Sequence, residues 1–340
     1  MEIVVTGRHD FASDNVAGVM PEVLDALAVA NVGVASGYGD DRVTRQACDM
    51  IRGALDADAE VRFMTSGTAA NALALAMLAE PHEAVLAHKH AHVCTDETGA
   101  PAFFGSGMGV MGLPGASGQI DADALVAALD EPDTAHNQPA AALSLTQVTE
   151  YGTLYPEAAL AALAAEAKAR GYRLHLDGAR LANAVAGGFD LKVIPRLGVD
   201  VLVMGGTKAG ATPTEALVLF DKGLARRLDA RLKHAGQLVS KGRFLAAPWI
   251  GMLQSGAWSA RAGHANAMAR KLAMLSPFPV AHTVDANAVF VVMDEPALQR
   301  LRRRGWFVYR FLDGTVRFMC NWSTTPDAVE ELASLLAEIA

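Results

Sequence analysis

A chain of 340 residues is too long for one simple core, so two domains are expected, and an apolar content of 51% against 19% charged residues excludes a disordered chain. The net charge of −8, with no basic stripe, leaves no electrostatic footprint for nucleic acid, and no uncharged apolar run reaches membrane-spanning length. Cys48, Cys94 and Cys320 lie far apart and signal neither a disulfide framework nor a zinc knuckle. The opening "MEIVVTGRHD" lacks the basic-then-apolar form of a signal peptide, so a cytoplasmic address is expected.

Along the chain, short strand-like runs alternate with longer helix-like ones. "VRFM" (61–64) reads as a strand leading through "TSGT" into the alanine-rich helix "AANALALAMLAE", and "EAVLAH" (83–88) and "AALSLTQ" (141–147) read as the next strands. "PEAALAALAAEAKARG" opens on a proline and has Gly171 past its end, which is helix punctuation. "YRLHLD" (172–177), "VDVLVM" (199–204) and "EALVLF" (215–220) follow as strands. Strands buried on both faces and joined by helices predict a parallel α/β sheet with helices on both sides. From about residue 250 helices thin out, and "AVFVVMD", "WFVYRFL" and "TVRFMCNW" predict a small antiparallel group closed by the helix "TPDAVEELASLLAEIA". The expected organisation is a large α/β domain over 1–249, with its N-terminal segment reaching the site, and a small α+β domain over 250–340.

Three motifs are decoys or rivals. "GMGVMG" (107–112) fits the G-x-G-x-x-G pattern, yet Pro114 and Gly115 follow where a helix should begin, so the dinucleotide reading lacks its context. "HKHAH" places His88, His90 and His92 at alternate positions, where a strand would turn all three to one face; with Asp96 and Glu97 nearby, a metal site is a rival reading. "GGTKAG" lacks the spacing of a Walker phosphate loop.

Four features fit one cofactor better than they fit separate bland explanations. Lys208 follows a buried strand among Gly205, Gly206 and Gly210, where a partly desolvated amine suits Schiff-base chemistry. Asp177 ends another strand, where a carboxylate can hold a pyridinium nitrogen protonated, as a pyridoxal phosphate electron sink requires. "TSGTAAN" (65–71) is a small-residue turn at a helix start, whose free N–H groups and the hydroxyls of Ser66 and Thr68 can receive a phosphate. All three stand where ligands gather, at the C-terminal ends of strands in an open α/β sheet.

With these residues in place, the sequence resembles the low-specificity L-threonine aldolases, pyridoxal-phosphate enzymes of fold type I in the β-eliminating lyase superfamily. The likeness runs from "FASDNVAGVMPEVLDAL" through "GYGDD", "SGTAAN", "HAHVCTDETGAP", "HLDGAR" and "GGTKAG" to "VRFMCNW". It implies a fold type I architecture and a pyridoxal 5'-phosphate cofactor bonded to Lys208, with Asp177 on the pyridine nitrogen and Arg180 on the phenolic oxygen. Gly67, Thr68 and Ser66 would hold the phosphate, and His92 would stack on the ring near the substrate hydroxyl. Ser13 and Arg317 match residues that bind the substrate carboxylate, a task suited to the planar arginine fork. Arg180 and Glu97 are further candidates for contact with the substrate. Tyr38 falls where the family brings a tyrosine from a neighbouring subunit, and Lys241 is a candidate phosphate cation from that neighbour, with a surface turn as its other reading.

The sequence also departs from the family. Where many members carry a histidine in "L-E-N-T-H", this chain reads "LTQVTEYG", leaving Thr149 or Glu150, and the "T-H-x-D" ending is "CNWS", with Asn321 and Ser323. The implied reaction is cleavage of L-threonine, L-allo-threonine and related β-hydroxy-α-amino acids to glycine and an aldehyde. His92, Glu97 or a bound water is the proton acceptor. Alternatives on the same parts are a phenylserine-type cleavage, β-elimination, racemisation or transamination, or a non-catalytic pyridoxal-phosphate-binding protein. The resemblance further implies a homo-oligomer, with a dimer as minimal unit and a tetramer as the usual assembly. No metal, nucleic acid or membrane partner is expected.

Overall fold

The computed structural model describes residues 7–340, so the first six residues of the opening segment lie outside the described residues. Two helices come first, α1 (Pro21–Ala30) and α2 (Arg42–Leu55). Asp41 caps α2 by accepting the Thr44 N–H at 2.8 Å, and Asp56 ends it in the left-handed region. β1 (Glu60–Met64) leads into α3 (Gly67–Leu75), and β2 (Ala84–His88) into α4 (His92–Thr95) and α5 (Ala100–Phe104). β3 (Gly109–Leu113), α6 (Ala122–Leu129), β4 (Ala140–Thr146), α7 (Glu157–Ala169) and β5 (Arg173–Gly178) follow. Then come α8 (Leu181–Ala186), α9 (Val193–Arg196), β6 (Val201–Gly205), β7 (Glu215–Leu219) and α10 (Leu228–His234).

Seven strands form one sheet in the order β1-β7-β6-β5-β4-β2-β3. β3, β2, β4, β5 and β6 are mutually parallel, whereas β7 runs antiparallel to both β6 and β1. The sheet is thus mostly parallel, as expected, and "EALVLF" departs from the common direction for a simple reason. Only the nine residues 206–214 join β6 to β7, fewer than the dozen or more that a parallel crossover needs. The sheet gains β3 from the "GMGVMG" stretch, which the sequence reading left without a strand. Along β6, Leu202 and Met204 enter the core shared with α2, α7 and α11 (Arg243–Gln254), while Val201 and Val203 enter the opposite core with α3 and α10. This period-two division buries both faces of the sheet.

Beyond α11 come α12 (Ala257–Leu275), β8 (Ala288–Val291), α13 (Glu295–Arg303), β9 (Tyr309–Arg310), β10 (Val316–Met319) and α14 (Pro326–Ile339). The three strands pair antiparallel in the order β8-β10-β9, and the predicted run 306–312 contracts to the two residues of β9. α12, with 19 residues, is the longest described helix, where the sequence reading expected helices to thin out. Phe11 is fully buried in the core of this second sheet, which draws the N-terminal segment across the molecule. Among the described residues, no helix is long and apolar enough to cross a membrane.

Candidate active site

The strand directions bring the C-terminal ends of β1, β2, β4, β5 and β6 to one edge of the sheet. Asp177 is the penultimate residue of β5 and pairs with Val203 of β6; Lys208 stands three residues beyond the end of β6. A Cβ on Gly205 would run into the Ala179 carbonyl, so glycine is what allows these two strand ends to close. Gly210 has φ +110° and would meet Trp322 if it carried a side chain. Lys208 itself is half-buried in this glycine-lined turn.

Asp177 is buried, and its Oδ1 accepts the Ala179 N–H at 2.9 Å. Its Oδ2 accepts from Asn71 Nδ2 at 2.9 Å, and the same Nδ2 donates to Glu97 Oε1 at 3.0 Å. Glu97 Oε1 in turn meets His92 Nδ1 at 3.0 Å. Four residues from α3, β5, α4 and the turn after it thus form one polar chain. The bond to Glu97 raises the His92 pKa against the opposing pull of burial. Burial raises the Glu97 pKa as well, with His92 and Asn71 pulling it down and Asp177 adding to the rise. His92 Nδ1 is committed to Glu97, so Nε2 is the nitrogen left to act on a ligand.

Arg180 precedes α8 and is buried, with Nε donating to Asp14 Oδ2 at 2.7 Å and Nη2 to Asp14 Oδ1 at 3.2 Å. Burial works against its charge, but Asp14, Glu150 and Asp177 outweigh that and hold its pKa above the ordinary value. Burial works against Asp14 too, and Arg180 and Lys208 bring it down to about 2. Two of the guanidinium's three nitrogens serve Asp14, and Nη1 lies 3.9 Å from Glu150 Oε2. Asn287 Nδ2 donates to Asp14 Oδ2 at 3.2 Å, which ties the second sheet to the site. Arg317 leans on the Phe311 ring, and its Nη2 donates to the Ala12 carbonyl beside Ser13 at 3.5 Å. Its Nε is buried without a partner, and burial together with Arg180 lowers its pKa. A desolvated guanidinium with an unmet N–H is suited to receive a carboxylate.

At the start of α3, Ser66 Oγ accepts the Ala69 N–H, while the N–H groups of Gly67 and Thr68 fall in the first turn, where no intrahelical acceptor exists. A Cβ on Gly67 would meet nothing within 4 Å, so there is room beside these donors. Open space at a helix N-terminus, a buried carboxylate at Asp177 and an amine at Lys208 together fit a phosphorylated pyridine aldehyde. Thr65 bonds Gln237 Oε1 through both its N–H and its hydroxyl (3.0 and 2.9 Å), which docks the 237–241 loop against this turn. Tyr38, 53% exposed and at φ 58°, bonds the Ser240 carbonyl through its backbone N–H at 3.1 Å. Tyr38 and the exposed Lys241 therefore stand together, and among the described residues neither makes a side-chain hydrogen bond to the Asp177 group.

The "LTQVTEYG" departure resolves into two roles. Thr149 Oγ1 donates to the Ser117 carbonyl at 3.0 Å and meets Thr153 Oγ1 at 2.8 Å, so it shapes the loop, whereas Glu150 faces Arg180. In "CNWS", Asn321 Oδ1 accepts from both the N–H and the hydroxyl of Ser323 and forms a turn. Of the three imidazoles of "HKHAH", His88 and His90 pack edge-on with ring centroids 5.5 Å apart, His88 Nε2 meeting the Gly115 carbonyl and His90 Nδ1 the Tyr151 hydroxyl, while His92 turns to Glu97.

Sequence reasoning assigned no role to Asp14, Asn71 or Glu215. The first two lie inside quoted motifs, and only their partners give them one. Glu215 opens β7 between Gly205 of β6 and Met64 of β1, is buried, and its Oε2 accepts the Gly206 N–H at 2.9 Å. Burial is the largest cause and pushes its pKa up to about 7. Because the folded value lies above the unfolded one, its stabilising effect is complete below pH ~4.5 and is lost as pH rises through about 7. Thermal melts of the apoprotein should therefore show Glu215→Gln gaining on the wild type between pH 5.5 and 8.5; parallel pH dependences would refute this.

Comparison with known proteins gives the family of the chain. A family model described as "Beta-eliminating lyase" matches residues 10–296. The low specificity L-threonine aldolase of Pseudomonas aeruginosa is 45% identical over 333 residues, 96% of each chain, and that of Escherichia coli K12 is 30% identical over 76% of each chain. A structure of Leishmania major threonine aldolase superposes with a TM-score of 0.90 at 28% identity, covering 97% of this chain and 99% of that one. Sphingomonas wittichii serine palmitoyltransferase, with a TM-score of 0.72 at 14% identity over 97% of this chain and 86% of that one, shares the fold alone. The chain therefore belongs to the β-eliminating lyases and, within them, to the low-specificity L-threonine aldolase family.

Proposed function

We propose that the protein is a pyridoxal-phosphate-dependent aldehyde-lyase that cleaves L-threonine, L-allo-threonine and related β-hydroxy-α-amino acids to glycine and an aldehyde. The observation that carries this reading is the placement of Asp177 at the end of β5 and of Lys208 just beyond the end of the adjacent parallel strand β6, in a chain 45% identical to an L-threonine aldolase along nearly its whole length. When bound, pyridoxal phosphate supplies an electron sink conjugated to the substrate amine. Lys208 would hold it covalently, Asp177 would meet its ring nitrogen, Arg180 its phenolic oxygen, and Ser66, Gly67 and Thr68 its phosphate.

The chain's own residues then do the orienting and the proton work. Arg317, with Ser13 beside it, would take the substrate carboxylate and fix which bond at Cα stands perpendicular to the ring, so orientation selects the bond that breaks. His92 Nε2, with Nδ1 backed by Glu97, would take the β-hydroxyl proton.

The exposed pair Tyr38 and Lys241 supports a homodimer in which each copy lends these residues to its neighbour, with a tetramer as the assembly. We also propose a division into a large cofactor domain and a small one; the boundary expected between residues 249 and 250 falls inside α11 (Arg243–Gln254), so the division would come after that helix. A reducing, cytoplasmic compartment is supported by three free cysteines. Incubation with L-threonine should release glycine and acetaldehyde in equal amounts; release of ammonia and an oxo acid instead would assign β-elimination and overturn this reading.

A further inference from the structure

The amide of Asn71 stands between two buried acids. Its Nδ2 lies 2.9 Å from Asp177 Oδ2 and 3.0 Å from Glu97 Oε1, so each of its two N–H bonds goes to one carboxylate. The reverse orientation would set the amide oxygen against both acids. Oδ1 is left buried with no partner, as is Glu97 Oε2. Asn71 thus leaves a buried acceptor unmet while both of its donors are used, which marks the two carboxylates as what this side chain serves.

From this geometry we infer that Asn71 is a positioning residue that keeps Glu97 ionised beside Asp177 and, through Glu97, sets the protonation of His92. The inference rests on the reading of His92 as the proton-handling group. Two buried carboxylates with no donor between them cannot both hold charge at little cost. Remove the Asn71 amide, and the proton goes to Glu97, whose side chain is 1% exposed and already biased toward its neutral form by burial. A neutral Glu97 no longer draws a proton onto His92 Nδ1. The other groups facing His92 are Glu150, Lys208 and Asp177, and those facing Glu97 are Asp177, His92 and Cys94. None of these places a neutral N–H donor between the two acids. Asn71 sits one turn into α3, the helix whose first turn opens on the proposed phosphate position, so a single rigid element would link that position to the proton-handling pair.

The test follows His92 by NMR titration in histidine-labelled holoprotein and apoprotein. Asn71→Leu, which keeps the branching of the side chain but carries no donors, should lower the protonation constant of His92 at least about tenfold, the size expected for losing a neighbouring opposite charge. Glu97→Gln should lower it similarly, and the double variant should fall no further than either single one, because both act through the same carboxylate. The limb of the kcat/KM profile that reports His92 should move to lower pH by the same factor. Asn71→Ser, which keeps one donor in a smaller side chain, should give a partial fall and serves if the leucine variant does not fold. An unchanged His92 titration in a folded Asn71 variant, or single effects that add in the double variant, would overturn the inference. The titration does not depend on which amino acid is cleaved. A shift without release of glycine would sink only the proposed reaction, and release of glycine without a shift would sink only this role for Asn71.

Discussion

Lys208→Ala should yield a folded protein that lacks the visible absorbance of covalently held pyridoxal phosphate and cleaves L-threonine at least about a thousandfold more slowly, as loss of a covalent catalytic group commonly costs. The structure gives reasons to expect the fold to survive. Lys208 is half-buried in a turn whose shape comes from its neighbours: Gly205 meets the Ala179 carbonyl, Gly206 donates to Glu215, and the Thr214 N–H bonds Thr207 Oγ1 at 3.1 Å. None of those contacts uses the lysine side chain. Spectrum and activity should therefore vanish together while the melting curve stays close to that of the apoprotein. A Lys208→Ala protein that cleaved threonine at the original rate would show that the amine does another job.

Asp177→Asn should separate two effects that Lys208→Ala removes at once. The covalent link would be made at Lys208, so bound cofactor should persist, but the carboxylate that would stabilise a protonated ring nitrogen is gone. The expected loss in kcat is about a hundredfold to a thousandfold, the range that follows when one partner of a buried charged pair is removed. The substituted amide keeps a single acceptor oxygen, which can serve Asn71 or Ala179 but not both, so the His92 titration is measured alongside to separate a loss at Asp177 from a disturbed Asn71–Glu97–His92 chain. Single-turnover rates on cofactor-loaded protein measure this, and a rate within about threefold of wild type would remove Asp177 from the ring nitrogen.

Much of the site could be read from the chain because its signal is local. Asp177 and Lys208 each follow an apolar run that can only be a buried strand, and a charged residue at such an end needs a partner or a ligand. The turn "TSGT" announces a helix start through its residue types alone. What escaped was information carried between distant segments. Asp14 acquires its role from Arg180, 166 positions away, and Asn71 from Asp177, 106 positions away. Nothing in "FASDN" or "SGTAAN" marks either residue as more than polar.

The strand at 109–113 escaped for another reason. Two of its five residues are glycine, four are not buried, and it lies at the sheet's edge, so it shows neither the β-branched run nor the alternation that identifies a strand. α12 mixes alanine with Arg261, His264, Asn266, Arg270 and Lys271, which blurs the apolar stripe of a helix packed on several sides. The orientation of β7, by contrast, was available in the length of its connection. Between Thr149 and Glu150, only tertiary geometry distinguishes the residue that shapes the loop from the one that faces Arg180.

Borohydride reduction of the holoprotein, followed by peptide mass mapping, tests most directly whether this site holds its cofactor where the fold suggests. The account predicts a phosphopyridoxyl mass on the peptide containing Lys208 and on no other. A label at Lys241 or any other lysine, or none on a protein that cleaves threonine, would contradict it.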